Sequence, residues 1–235
     1  MKKFAIIALA ALAGICSCVS MLDMKPVETG KIAAANGENS LEIYALKNNI
    51  GTAFFIKADE GYIMFDAGTN AGKFSKSLSE LGIGANDVKW IFLTHSDGDH
   101  VASLPLFPDA PIRMYADELQ MVNGTAKRNA IASNKMPAGI DINKIILLSD
   151  GQELSVGGVG IRCFAAPGHT PGSMMYLING DCLITGDVFS IKKGKIGIHP
   201  FTMDEKTAKA TIERLGETIS GSPLVLTSHF GLIRN

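Results

Sequence analysis

Four ionisable side chains crowd a single turn of this chain: His95, Asp97, Asp99 and His100, in "LTHSDGDHVAS". The turn follows an apolar run, "VKWIFL", with the character of a buried strand. Two imidazoles and two carboxylates this close together repel one another or compete for protons unless a cation is shared among them. A metal ion is the usual solution, because imidazole nitrogen and carboxylate oxygen are ordinary transition-metal ligands. Three further groups of the same kind follow apolar runs downstream: His169 in "FAAPGHTPGS", Asp187 in "CLITGDVFS" and His229 in "LVLTSHFG". Residues at strand ends project into loops, where a rigid scaffold can present chemistry. Any one of these histidines alone would be read as structural. Four strand ends carrying imidazole or carboxylate together supply donors for two metal ions.

The elements that must position these groups can be read from periodicity. "LEIYAL", "TAFFIKA" and "GYIMFDAG" predict consecutive short strands. "NAGKFSKSLSELG" predicts a helix capped by Asn70, with Phe74, Leu78 and Leu81 on one face and Gly82 at its end. "VKWIFLT" and "PIRMYA" predict strands, "DELQMV" opens a helical turn, and the polar stretch 123–142 predicts a loop. "KIILLS", "QELSVG", "VGIRCFAA", "SMMYLI" and "DCLITGD" predict a second run of strands. "TMDEKTAKATIERLGETI" predicts a helix, with Thr202 and Glu205 as a capping box and Ala208, Ile212, Leu215 and Ile219 on its apolar face. A last strand, "PLVLTSHFG", delivers His229. Periodicity establishes mixed α and β, and no more than that.

The ordered set "LTHSDGDHVAS", "PGHTPGS", "TGDVF" and "TSHFG" resembles the ligand motifs of the metallo-β-lactamase superfamily, from about residue 41 to the end. "YIMFDAGT" is similar to that family's early motif, which implies that Asp66 supports the site from behind. The resemblance implies an α/β fold, a four-layer αββα sandwich with a dinuclear metal site at one edge of the sheets. By position it puts His95 and His169 on a first ion, Asp99, His100 and His229 on a second, and Asp187 between the two. Where the family has histidine, this chain has Asp97. As a ligand, Asp97 would make the first site harder and suit iron or manganese as well as zinc. As a bystander, it would leave the first ion weakly held.

What the resemblance implies for function is a metal-dependent hydrolase with two divalent ions, zinc foremost. A bridging hydroxide, oriented by Asp99, would attack an ester, thioester, lactone or phosphoester of a small molecule. Asp97, Asp99, Asp187 and that hydroxide would together balance two dications. The true β-lactamases lack the bridging aspartate, and the lactonases have tyrosine where Ser190 stands, so neither activity is favoured. The alternative is a diiron redox or oxygen-binding protein, because flavodiiron relatives also carry a carboxylate at the position of Asp97.

The rest of the composition mostly excludes. The chain has 235 residues, a formal net charge of -1 and a hydrophobic fraction of 46%. That suits one domain with a sizeable core and gives no reason to expect nucleic acid. Residues 1–18 have a basic start and an apolar run too short to span a bilayer, followed by Cys16 and Cys18. This resembles a bacterial lipoprotein signal with Cys18 as the lipidated residue, and implies export to the periplasm or cell envelope with membrane contact through the lipid alone. Residues 19–40 then form a tether or lead-in, and 41–235 the folded domain. Cys163 and Cys182 lie in apolar strands and are expected to be free core residues. "GTNAGKF" is one residue short of a phosphate loop, and the "DGD" turn lacks the acidic twelfth position of a calcium loop. "IKKGK" is expected to be a solvated loop, with Lys192, Lys193 or Lys195 as candidates for touching an anionic substrate. His199 matches none of the motifs and is expected to be structural.

Overall fold

The computed structural model describes residues 23–32, 41–128 and 134–234. The lipoprotein-like segment, Cys16 and Cys18 included, lies outside the described residues. The chain opens with β1 (Gly30–Ile32), β2 (Ile43–Asn48), β3 (Gly51–Lys57) and β4 (Tyr62–Phe65), an antiparallel series. After helix α1 (Ala71–Glu80), strand β5 (Val88–Phe92) pairs parallel to β4. The one-turn helix α2 (Gly98–Val101), β6 (Ile112–Tyr115), the one-turn helix α3 (Leu119–Val122) and β7 (Ile146–Leu148) complete the first half, so that one seven-stranded sheet runs β1 to β7 in sequence order. A second meander, β8 (Glu153–Val156), β9 (Val159–Ala165), β10 (Met174–Ile178) and β11 (Cys182–Ile184), starts the other sheet. The hairpin β12 (Phe189–Lys192) and β13 (Lys195–Ile198) and helix α4 (Glu205–Thr218) follow. Strand β14 (Leu224–Leu226) then returns parallel to β11, and β15 (Leu232–Ile233) closes the six-stranded sheet.

Three apolar layers hold four structural ones together. Between the sheets, Ile43, Phe54, Ile56, Phe65 and Phe92 meet Ile161, Cys163, Met174, Tyr176 and Ile184. Outside the first sheet, Phe74 and Leu78 of α1 pack on Leu46, Phe55 and Met64. Outside the second, Ile212, Leu215 and Ile219 cover Phe164, Met175, Leu183 and Val225. The expected αββα sandwich is what these sequences build, because each sheet must bury both faces. Strand β3 shows the requirement most plainly: six of its seven residues, "GTAFFI", are buried. Asn70 caps α1 as expected, its side chain accepting from the Lys73 amide. Cys163 and Cys182 are free and buried, and burial pushes each thiol up to about 12.

Three expectations change. Helix α4 starts at Glu205 with Asp204, not Thr202, as its cap, the carboxylate accepting from both the Thr207 amide and hydroxyl. "IKKGK" is not a loop but the tip of the β12–β13 hairpin. Lys193 and Gly194 both take positive φ, 51° and 72°, the left-handed pair that a tight hairpin turn requires. Lys192 lies 3.3 Å from Asp23, and Lys193 and Lys195 are exposed. Part of the lead-in is held rather than loose: Gly30–Ile32 pairs with β2, and the Lys25 amide donates to the His229 carbonyl at 2.8 Å.

Two buried polar contacts fix the edge where the strand ends meet. The Tyr176 hydroxyl, wedged by its ring between Phe65 and Phe92, donates to the Leu93 carbonyl at 2.6 Å. That contact spans the two sheets just before His95. Glu118, fully buried, accepts from the Ser96 amide and hydroxyl at 2.7 and 2.6 Å with one oxygen. Its other oxygen takes the Thr170 hydroxyl at 2.7 Å and the Gly172 amide at 3.1 Å. One carboxylate thus ties the His95 loop to the His169 loop. Gly172 must be glycine, since a Cβ there would sit 2.0 Å from the Glu118 nitrogen.

Glu118→Ala should therefore cost about 3 kcal/mol or more, because several buried donors lose a charged acceptor at once. Tyr176→Phe should cost about 1–2 kcal/mol by leaving a buried carbonyl short of a partner. Urea unfolding with an unchanged m-value is the measurement. A Glu118→Ala midpoint equal to wild type would show that the two loops are held together by something else.

Candidate metal centre

Every candidate donor stands just past the end of a strand or in the turn that follows. His95 lies three residues after β5, Asp97 at the cap position of α2, and Asp99 and His100 within it. Asp97 makes no capping hydrogen bond, so its side chain is committed elsewhere. His169 lies between β9 and β10, Asp187 between β11 and β12, and His229 between β14 and β15. Gly186 has φ 54°, and a Cβ there would meet Thr94 Oγ1 at 2.3 Å, so glycine lets the Asp187 loop pass against the His95 loop.

The structure brings all seven expected residues together, and adds one. Around Asp187 Oδ2 lie the Nε2 atoms of His229 at 3.2 Å, His199 at 3.4 Å, His100 and His169 at 3.5 Å, and His95 at 3.9 Å. The chain has five histidines, and all five face this one oxygen. Asp99 Oδ2 is 3.2 Å from His229 Nε2 and 3.8 Å from His100 Nε2. Asp97 Oδ2 is 3.2 Å from His169 Nε2 and 3.4 Å from His95 Nε2. All are buried except Asp99, whose side chain is 26% exposed and marks the side open to solvent.

A second tier orients the imidazoles. Asp66 takes a left-handed backbone, φ 61°, that aspartate tolerates better than most residues. Its carboxylate accepts from the Thr94 amide and hydroxyl at 2.8 and 2.9 Å and from His100 Nδ1 at 2.8 Å. This is the supporting role expected of it. The Thr94 hydroxyl, its proton spent on Asp66, accepts from His95 Nδ1 at 3.0 Å. His229 Nδ1 donates to the Ile50 carbonyl at 2.7 Å. These three bonds put a proton on Nδ1 and leave an Nε2 lone pair facing inward, the arrangement of ligating histidine.

The charges interlock. Burial would raise Asp187, yet His229, His199 and His100 hold it well below the usual carboxylate range. Asp97 is lowered likewise, burial being overcome by His95 and His169. So is Asp99, through His100 and His229. Burial would lower His100 and His229, but Asp187 and the other nearby carboxylates raise His100 well above its ordinary value and His229 to about 10. Burial prevails at His169, lowered to about 4, and at His199, held well below its ordinary value.

Sequence reading missed His199, Arg128 and Asn134. His199 lies just past β13, and a hairpin is needed to carry it inward. Arg128 and Asn134 lie in the polar stretch read as a loop, and both reach Asp97: Arg128 Nη2 at 2.8 Å from Oδ2 and Asn134 Nδ2 at 2.6 Å from Oδ1. The only sequence signal was the missing histidine at Asp97, whose charge had to be answered somewhere.

The residues fit metal ions. Among the described residues, His95 Nε2, His100 Nε2, His169 Nδ1 and Asp187 Oδ1 are buried polar atoms with no hydrogen-bond partner, a costly state that a cation would relieve. Donor atoms within 4.8 Å of one another form the sets Asp99, His100, Asp187 and His229; His95, Asp97 and His169; and His169, Asp187 and His199. Nitrogen and carboxylate oxygen in these numbers suit zinc, iron or manganese.

The metallo-β-lactamase superfamily pattern matches residues 46–220. The probable metallo-hydrolase YqgX of Bacillus subtilis is 27% identical over 187 residues, 75% of this chain and 83% of that protein. The probable polyketide biosynthesis zinc-dependent hydrolase BaeB of Bacillus velezensis is 33% identical over 134 residues, and there the match spans only 51% of the relative and 56% of this chain. Among solved structures, an archaeal metallo-beta-lactamase superfamily protein from Sulfolobus tokodaii superposes with a TM-score of 0.61 at 22% identity, covering 82% of this chain and 81% of that one. In motif order, layered architecture and convergent donors alike, this chain belongs to the metallo-β-lactamase superfamily.

Proposed function

We propose that the protein is a metal-dependent hydrolase acting on an ester, thioester, lactone or phosphoester of a small molecule. The observation that carries this reading is the convergence of five imidazoles and three aspartates on one buried spot with an opening at Asp99. The relatives' names, a probable metallo-hydrolase and a probable zinc-dependent hydrolase, support the same class. His95 and His169 would hold one ion, and Asp99, His100 and His229 the other, with Asp187 shared. When bound, such ions polarise a substrate oxygen and lower the pKa of water from about 15.7 towards about 7.

The chain's own residues do the positioning. Asp99 is the partly exposed carboxylate of the set, so it is placed to accept a hydrogen bond from the attacking water and aim it at the substrate. Asp66, Thr94 and the Ile50 carbonyl keep three imidazoles from rotating. Phe230 and the buried histidines exclude bulk water from the inner wall. For location, the basic start, apolar run and Cys18 support a lipid anchor in the cell envelope. Stable anchoring takes more than one acyl chain.

Chelator-dialysed protein should lose hydrolysis of a panel of ester, thioester, lactone and phosphodiester substrates, and zinc should restore it. Zinc at a hundred times its dissociation constant should also stabilise the fold by about 2.7 kcal/mol, seen as a higher melting temperature. Asp187→Asn should abolish both effects. A chain that neither takes up metal nor responds to it would sink the reading. Separately, Cys18→Ser should move the protein from the membrane to the soluble periplasmic fraction. If it stays with the membranes, Cys18 is not the anchor.

A further inference from the structure

The two halves of the metal centre are built differently. In the half formed by Asp99, His100, Asp187 and His229, both imidazoles are locked by Nδ1–H bonds, to Asp66 at 2.8 Å and to the Ile50 carbonyl at 2.7 Å. Two carboxylates face two neutral Nε2 donors, so a dication there is balanced in charge. In the other half only His95 is locked in that way, through Thr94 at 3.0 Å. Among the described residues His169 Nδ1 has no partner, while its Nε2 lies 3.2 Å from Asp97 Oδ2, an acceptor that holds the proton on Nε2 and leaves no lone pair there for an ion.

Asp97 is already answered by a cation. Its Oδ2 lies 2.8 Å from Arg128 Nη2, and its Oδ1 accepts from Asn134 at 2.6 Å. The Arg128 side chain is 9% exposed, and its guanidinium is anchored: Nη2 also donates to the His169 carbonyl at 2.9 Å and Nη1 to the Phe201 carbonyl. A dication bound to Asp97 would therefore sit beside a fixed positive charge, with only the shared Asp187 left to offset it. At a few ångströms, in a site this dry, that repulsion is not screened. His199 does not replace the lost donor. Its Nδ1 accepts from the Phe201 amide at 3.2 Å, so in the neutral ring the proton sits on Nε2 and points at Asp187. With its proton on Nε2, His199 offers the centre no lone pair, the opposite of His95, His100 and His229.

We propose that the centre loads unequally. The Asp99–His100–Asp187–His229 half holds one transition-metal ion tightly, and Arg128, paired with Asp97, occupies the electrostatic place of a second, so that the His95–His169 half binds its ion weakly. This rests on the metal-hydrolase reading above and concerns which half of that site is filled. Arg128 is a positioning residue here, acting on the ion through Asp97.

The test is zinc binding to the metal-free mature chain, followed by calorimetry and by elemental analysis after gel filtration. Cobalt(II) absorption serves as a second readout, since its intensity reports the coordination number of each bound ion. Wild type should retain about one ion through the column and bind a second at least a hundredfold more weakly. Arg128→Met should tighten the second ion by tenfold or more, while Arg128→Lys should leave it weak. Each variant's fold is checked by its circular dichroism spectrum and melting temperature. If Arg128→Met does not fold, the wild-type stoichiometry and Asp97→His decide. Asp97→His adds a neutral donor and removes the partner of Arg128, and should still not yield two equally tight ions while Arg128 is present. Two ions of equal affinity in wild type, or an unchanged second affinity in folded Arg128→Met, overturn the proposal and leave the hydrolase reading standing. No metal uptake at all would overturn that reading instead.

Discussion

A single carboxylate oxygen, Asp187 Oδ2, is surrounded by the Nε2 atoms of every histidine in the chain, at 3.2 to 3.9 Å. Water is excluded from nearly all of them. Burying this many polar atoms is costly unless each finds a partner. The centre is therefore a region of deliberate frustration, where lone pairs converge with too few protons to satisfy them. The surrounding fold has to be rigid enough to impose that arrangement, and a cation is what makes it favourable. Most other features of this edge of the sandwich follow from that requirement.

Rigidity comes from a shell of buried hydrogen bonds rather than from packing alone. Asp66 orders Thr94 and His100 together, and Thr94 passes the constraint on to His95. Glu118 joins the Ser96 loop, 22 residues before it, to Thr170, 52 residues after it. Tyr176 joins the sheets at Leu93. Each contact is charge-assisted or buried, where a hydrogen bond is stronger and its loss more damaging. The apolar layers behind them supply the bulk of the stability, and these few polar contacts decide where the loops stop.

Such a centre trades stability for function. Carboxylates held well below their ordinary range and imidazoles raised above it show a site whose internal charges are balanced against one another before any ion arrives. The aspartates that set these shifts, Asp187 first among them, are the same groups that would attract an entering dication.

Much of this was legible in the sequence. The strand-end histidines and aspartates announced themselves by residue type and position, because ligands need strand ends and strand ends need apolar runs before them. The sandwich itself could be expected only through resemblance, since periodicity identifies faces but not what covers them. Residues whose roles depend on distant partners stayed invisible. Glu118 looked like one acid in an ordinary helical turn until Ser96, Thr170 and Gly172 were placed around it. His199 looked structural because its segment read as loop, and only the β12–β13 hairpin carries it inward. Arg128 and Asn134 lay in a polar stretch with no periodicity, and their meaning comes from contact with Asp97 across more than thirty residues of chain. Residue type and spacing determined which groups can bind metal. The tertiary structure decided which lone pairs are free to do so, because tautomer and charge pairing are set by neighbours in space.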